Sequence, residues 1–235
     1  MALTAGIVGL PNVGKSTLFN AITQAGVEAA NYPFATIDPN VGIVEVPDPR
    51  LERLAEIVQP QAVHPTTFEF TDIAGIVEGA SEGEGLGNKF LANIREVDAI
   101  CHVVRCFDDD EITHVSGRID PAADIDTINL ELTLADLDSV SRRYERIKKQ
   151  AKANEPGAKE VLEVYDKIVP ALEDGIPARA LEFTKEQEKI VREMFLLTSK
   201  PVLYIANVAE DLIANPEESE HFQTVKAIAD KEGAE

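Results

Sequence analysis

Gly9-Leu10-Pro11-Asn12-Val13-Gly14-Lys15-Ser16 stands between an apolar run, residues 5–8, and an amphipathic segment that begins Thr17-Leu18-Phe19. The octet satisfies the G-x-x-x-x-G-K-S pattern of a phosphate-binding loop, in the strand-to-helix setting the pattern requires. Its residue types follow from the chemistry. The glycines let backbone N–H groups close around phosphate oxygens, Lys15 brings an ammonium to the β and γ oxygens, and the Ser16 hydroxyl is a hard ligand for Mg²⁺. The dipole of the following helix favours an anion at the same point. Gly9 to Thr17 are therefore the expected nucleotide-binding residues, with Lys15 also catalytic.

Outward from this loop, short β-rich runs alternate with helical segments, the pattern of an α/β fold with a mostly parallel sheet between helices. Strands are expected at 5–8, 42–46, 67–71, 99–105 and 202–206, and helices after Gly14, around 88–97 and over 219–231. Between 125 and 195 the texture changes to charged segments with Leu, Ile and Val at helical spacing and no strand-like run. We expect an all-helical insertion there, with 1–124 and 196–235 forming the nucleotide-binding domain. Asn154-Glu155-Pro156-Gly157 should turn a first arm, 125–152, back into a second, 158–172. After a further turn at Asp174-Gly175-Ile176-Pro177, Thr184 and Gln187 have the spacing of a capping box.

Composition narrows the class. The chain has 235 residues, 44% of them hydrophobic, and no apolar run approaches the roughly 18 to 20 residues that span a bilayer. Its N-terminus has no signal-peptide pattern, so a cytoplasmic protein without a membrane segment is expected. A net charge of −20 argues against a general nucleic-acid coat. The local exception is Arg142, Arg143, Arg146, Lys148, Lys149 and Lys152, which read either as a solvated helix end or as a docking surface for RNA or a ribosome. Cys101 and Cys106 fall on opposite faces of one strand and cannot bridge, and His102 between them reads as a packed strand residue.

Two further segments bear on the phosphate site. Asp72-Ile73-Ala74-Gly75 ends a strand: an acid there can hold Mg²⁺ through water, and the Gly75 amide can meet a γ-phosphate. The glycine-rich stretch that follows, 75–87, reads as a switch or as an ordinary flexible loop. Thr36, at the end of Asn31-Tyr32-Pro33-Phe34-Ala35-Thr36, is placed to ligate Mg²⁺ in the triphosphate state only.

Together these segments resemble the Obg-related branch of translation-factor GTPases, and within it the YchF family of Obg-like, ribosome-binding ATPases. The resemblance covers essentially the whole chain. It rests most on residues 9–16, the stretch 31–42, the glycine-rich switch and His114-Val115-Ser116-Gly117, and the helical insertion matches that family's antiparallel coiled-coil arm. The resemblance implies a P-loop G domain, ATP hydrolysis with GTP tolerated, and the ribosome as partner. Guanine-specific relatives carry Asn-Lys-x-Asp where this chain has Asn207-Val208-Ala209-Glu210. Val208 removes the lysine stem that covers the base, and Glu210 sets its carboxylate one methylene further out. Guanine preference should suffer, because losing a bidentate buried contact costs several kcal/mol.

For hydrolysis, many relatives place a water-orienting glutamine where this chain has Ile76. Asn12 resembles the asparagine that supports K⁺ in cation-stimulated members, and the resemblance gives His114 a role in ATP hydrolysis, although it also reads as an exposed loop histidine. The family continues beyond this chain into one more strand and a TGS domain, so an incomplete G domain with an exposed sheet edge is expected. A nucleotide-gated scaffold for RNA or protein and a GTP-specific GTPase remain alternatives. A metabolic kinase fits less well, because no acceptor pocket or lid is recognisable.

Overall fold

A computed structural model describes residues 3–23, 40–75, 79, 86–109, 112 and 117–235. Thr36, Ile76 and His114 lie outside the described residues. Five strands form one sheet in the order β2-β3-β1-β4-β5: β1 (Leu3–Val8), β2 (Asn40–Glu45), β3 (Thr67–Asp72), β4 (Ala99–Cys106) and β5 (Val202–Val208). All neighbours are parallel except β2, which runs antiparallel to β3. β1 and β4 are buried almost throughout, as central strands between helical layers must be, whereas β2 alternates because one face of this edge strand meets solvent. The β5 amide of Tyr204 donates to the main-chain oxygen of Glu235 at 2.7 Å.

Helices α1 (Lys15–Thr23) and α3 (Leu86–Glu96) fall where the periodicity places them. α2 (Pro49–Val58) was not among the expected helices and buries no residue. Local chemistry holds it: Asp48 caps it by accepting from the Arg50 amide at 2.9 Å, Pro49 occupies the first turn, and Gln59 ends it in the left-handed region.

The helical segment begins earlier than its expected start at 125. α4 (Pro121–Lys152) is capped by Asp120, with Pro121 in its first turn. It is shared between two cores. Ile128, Leu132 and Ala135 pack in the cluster that holds Phe19, Ile73 and Phe90, while Val140 packs with Val164, Ile168 and Leu172 of α5 (Ala158–Glu173) and Val191 and Met194 of α6 (Lys185–Met194). The turn between α4 and α5 uses Asn154 and Gly157 at positive φ, and Thr184 and Gln187 form the capping box at the start of α6. α7 (Glu220–Glu232) follows its Ser219 cap and covers β5.

A buried carboxylate fixes the chain where it leaves α6. Asp136 is fully buried and accepts from the amides of Leu197 and Thr198 and from the Thr198 hydroxyl at 2.8–3.0 Å, with Arg95 3.6 Å away. Burial still pushes its acidity down, toward the protonated form. Lys200 closes the same corner by donating to the carbonyls of Arg95 and Val97.

His102 in β4 is a packed residue as expected, its ring centroid 5.4 Å from that of Tyr204. Burial, helped by the positive charges of Arg179 and Lys15, lowers its pKa to about 3. The unfolded chain protonates His102 below its ordinary value near 6.5 and the folded chain does not, so stability is lost as pH falls from there toward 3. Urea denaturation should show roughly 2 kcal/mol lost between about pH 6.5 and 5 on this account. His102→Gln should flatten that slope; an unchanged slope would contradict a buried neutral imidazole.

Candidate functional site

The carboxyl ends of the strands bring Gly9 to Ser16, Asp72, Gly75 and Asn207 together. β1 runs into the phosphate loop and α1 leaves it, so Gly9 to Ser16 link a central strand to a helix N-terminus. The parallel register sets Ile7 opposite Asp72, which carries the end of β3 to the mouth of the loop. There the Ser16 hydroxyl donates to Asp72 Oδ2 at 2.8 Å.

Lys15 is buried at 7% exposure, and its ammonium donates to the Leu10 carbonyl at 2.7 Å, across the loop it belongs to. Burial draws its pKa down to about 8, against the raising effect of Asp72. Asp72 is 1% exposed and shifts the other way, because burial outweighs the Ser16 hydrogen bond and the Lys15 charge. Among the described residues its Oδ1 has no hydrogen-bond partner. An orphaned carboxylate oxygen beside a serine hydroxyl is a hard oxygen pair that fits a small divalent cation, whose other ligands would come from phosphate and water. Among the described residues no cluster of three His, Cys, Asp or Glu side chains could hold a metal alone. Mg²⁺ bound between Ser16 and Asp72 would neutralise phosphate charge.

Asn207 has a role that sequence reasoning missed. At the end of β5, its amide Nδ2 donates to the Val13 carbonyl at 2.9 Å, so the residue expected at the base also clamps the phosphate loop. Gly14 permits this approach: its φ is 98°, and a Cβ there would lie 2.5 Å from Asn207 Nδ2. Asn12 likewise has positive φ, at 63°, which asparagine tolerates better than most residues. Gly75 lies against the loop from the other side, where a Cβ would stand 2.9 Å from the Pro11 nitrogen.

Thr17 is exposed on the first turn of α1, Val208 ends β5 half-buried, and Glu210 is exposed in the short 3₁₀ turn Glu210–Leu212. Arg105 was also missed, although an arginine in an apolar strand is a visible signal. It is 2% exposed and donates to the carbonyls of Phe107, Asp109 and Ile112 at 2.9–3.1 Å, which gathers the chain after β4 around one guanidinium.

The basic residues of α4 lie at the far end of that helix. Arg142, Arg143, Arg146, Lys149 and Lys152 are exposed, but Arg142 pairs with Asp138 at 2.7 Å, and Lys148 pairs with Glu145 at 3.0 Å while its ammonium lies 3.7 Å from the Tyr144 ring centroid. An open groove of about 740 Å³ between α3, α4 and the end of α6, lined by Leu91, Arg95, Arg142, Arg143, Met194 and Phe195, is separate from the phosphate loop. Among the described residues no helix is long and apolar enough to cross a membrane.

A mostly parallel sheet with a phosphate loop after its central strand and an aspartate from the adjacent strand defines a P-loop nucleoside-triphosphatase domain of the G-protein type. Residues 4–208 match the family model described as 50S ribosome-binding GTPase, and the chain belongs to that family. It is 63% identical over its whole length to the Bacillus subtilis protein named Ribosome-binding ATPase YchF, and 56% identical over essentially all of it to the Escherichia coli O157:H7 protein of the same name. The chain spans 64% of the length of each of these relatives. The structure of the Schizosaccharomyces pombe YchF GTPase superposes with a TM-score of 0.76 at 37% identity, over 97% of this chain and 62% of that one.

The contact at Gly14 is a direct handle on the loop. Gly14→Ala forces a strained φ and drives Asn207 away, so Mg-ADP affinity should fall by about tenfold or more. Calorimetry on a variant with unchanged circular dichroism measures this, and wild-type affinity would show that the Asn207 clamp is dispensable.

Proposed function

We propose that this chain is the catalytic part of a cytoplasmic, magnesium-dependent ATPase that also accepts GTP and works as a ribosome-associated switch. The observation that carries this reading is the meeting of Lys15, Ser16 and Asp72, with one carboxylate oxygen of Asp72 buried and unpartnered beside the serine hydroxyl. On nucleotide binding, Lys15 exchanges the Leu10 carbonyl for phosphate oxygens, and the amides of residues 9–17 take up the remaining charge. Ser16 and Thr36 would hold the metal and Asp72 would hold it through water, while the Gly75 amide would meet the γ-phosphate.

Base choice rests with Asn207, Val208 and Glu210. Without a lysine stem over the base, and with the Glu210 carboxylate one methylene further out than an aspartate, the guanine contact is weakened. Hydrolysis is slow and has no glutamine at position 76; His114 assists it, and Asn12 would support a K⁺ whose charge would act as an arginine finger does elsewhere. Both relatives are named for ribosome binding, which supports the ribosome as partner. The exposed cations Arg143, Arg146, Lys149 and Lys152, with Arg142 and Lys148 in local pairs, suit contact with ribosomal RNA through residues 125–195, taken as an arm.

The reading is tested by an affinity panel of ATP, GTP and their diphosphates, each with Mg²⁺ or with chelator. ATP should bind at least as tightly as GTP, and chelator should weaken the triphosphates most. A tenfold or greater GTP preference would favour the GTPase alternative, and no magnesium-dependent affinity would remove the enzymatic reading altogether. Turnover should be faster in K⁺ than in Na⁺, and His114→Ala should lower it by about 10²-fold or more with nucleotide affinity kept. Equal rates in both salts exclude the cation role of Asn12, and an unaltered rate in the alanine variant excludes the histidine.

A further inference from the structure

Glu131 is a carboxylate in a place where carboxylates are rare. It lies on α4 among Ile128, Leu132 and Ala135, which pack in the core beneath the sheet, and it is 3% exposed. Burying a carboxylate in such a setting is unfavourable unless donors meet it. Its Oε1 accepts from the backbone N–H of Gly79 at 2.6 Å, a contact between residues 52 positions apart. That is a short charge-assisted bond to main chain rather than to a side chain.

The two ends of this bond differ in kind. The α4 end is fixed, since Ile125 and Ile128 are fully buried and Leu132 is 2% exposed. The Gly79 end is an exposed turn in the glycine-rich stretch that begins at Gly75. Four residues of chain span at most about 14 Å, so holding Gly79 limits where Gly75 can go. Gly75 itself rests on Pro11 of the phosphate loop.

We propose that Glu131 is a positioning residue for hydrolysis: it anchors the Gly79 backbone to α4 and thereby sets the Gly75 amide for the γ-phosphate. This rests on the phosphate-site reading above. It distinguishes triphosphate from diphosphate, because only the triphosphate needs the Gly75 amide. It also joins the Gly79 backbone to the helix whose far end carries Arg142 to Lys152.

The test uses Glu131→Ala, which removes the acceptor, and Glu131→Gln, which keeps an oxygen at the same reach. Hydrogen exchange on the nucleotide-free chain should show faster exchange at Gly79 in the alanine variant than in wild type or the glutamine variant. Affinity for a non-hydrolysable ATP analogue and kcat should each fall about tenfold in Glu131→Ala, with ADP affinity held within about twofold and most of the loss restored in Glu131→Gln. Thermal unfolding checks that both variants are folded. Equal loss of ADP and triphosphate affinity, or no loss of either, overturns the inference while wild-type nucleotide binding leaves the phosphate site standing; unaltered exchange at Gly79 overturns the anchor itself. A wild-type chain that binds neither nucleotide overturns the phosphate-site reading and the positioning role with it.

Discussion

The arrangement turns on a buried ammonium at the start of α1 and a buried carboxylate at the end of β3. Neither Lys15 nor Asp72 is solvated, and both are displaced from their ordinary acidity by burial, in opposite directions. Lys15 satisfies itself on the Leu10 carbonyl, and Asp72 is satisfied on one oxygen by Ser16 and, among the described residues, on the other by nothing. Such a site is preorganised for a ligand that brings anionic oxygens for the lysine and a cation for the aspartate. A magnesium-bound polyphosphate does both.

Sheet order makes this arrangement possible. With β1 central, β3 on one side delivers Asp72, while β4 and then β5 on the other deliver Arg105 and Asn207. Each functional side chain stands at a strand's carboxyl end, where parallel strands open toward a shared crevice. The Asn207 bond to Val13 joins the end of β5 to the phosphate loop.

α4 extends that joining outward. One helix contributes to the core beneath the sheet and to the core with α5 and α6, and the polar contacts of Asp136, Arg95 and Lys200 fix the return of the chain to β5. Breaking a buried carboxylate with three donors costs far more than breaking an exposed pair such as Arg142 with Asp138. The exposed pairs at the basic far end therefore contribute little to the fold.

The phosphate loop, the strand positions, the turn at Asn154 to Gly157 and the capping box at Thr184 were all legible along the chain, because each depends on neighbours within a few residues. α2 was equally local, with Asp48 and Pro49 at its start and Leu51, Leu54, Ala55 and Val58 at helical spacing, and was overlooked. The antiparallel pairing of β2, the clamp of Asn207 on Val13 and the bond from Gly79 to Glu131 had no such signature. Sequence alone determined which groups can bind phosphate and where helices begin, since glycine geometry, side-chain chemistry and capping act over short range. Which of those groups share a buried site, and which are thereby shifted in acidity or left with an unpartnered oxygen, was decided only by tertiary structure, because desolvation depends on what distant segments pack over each side chain.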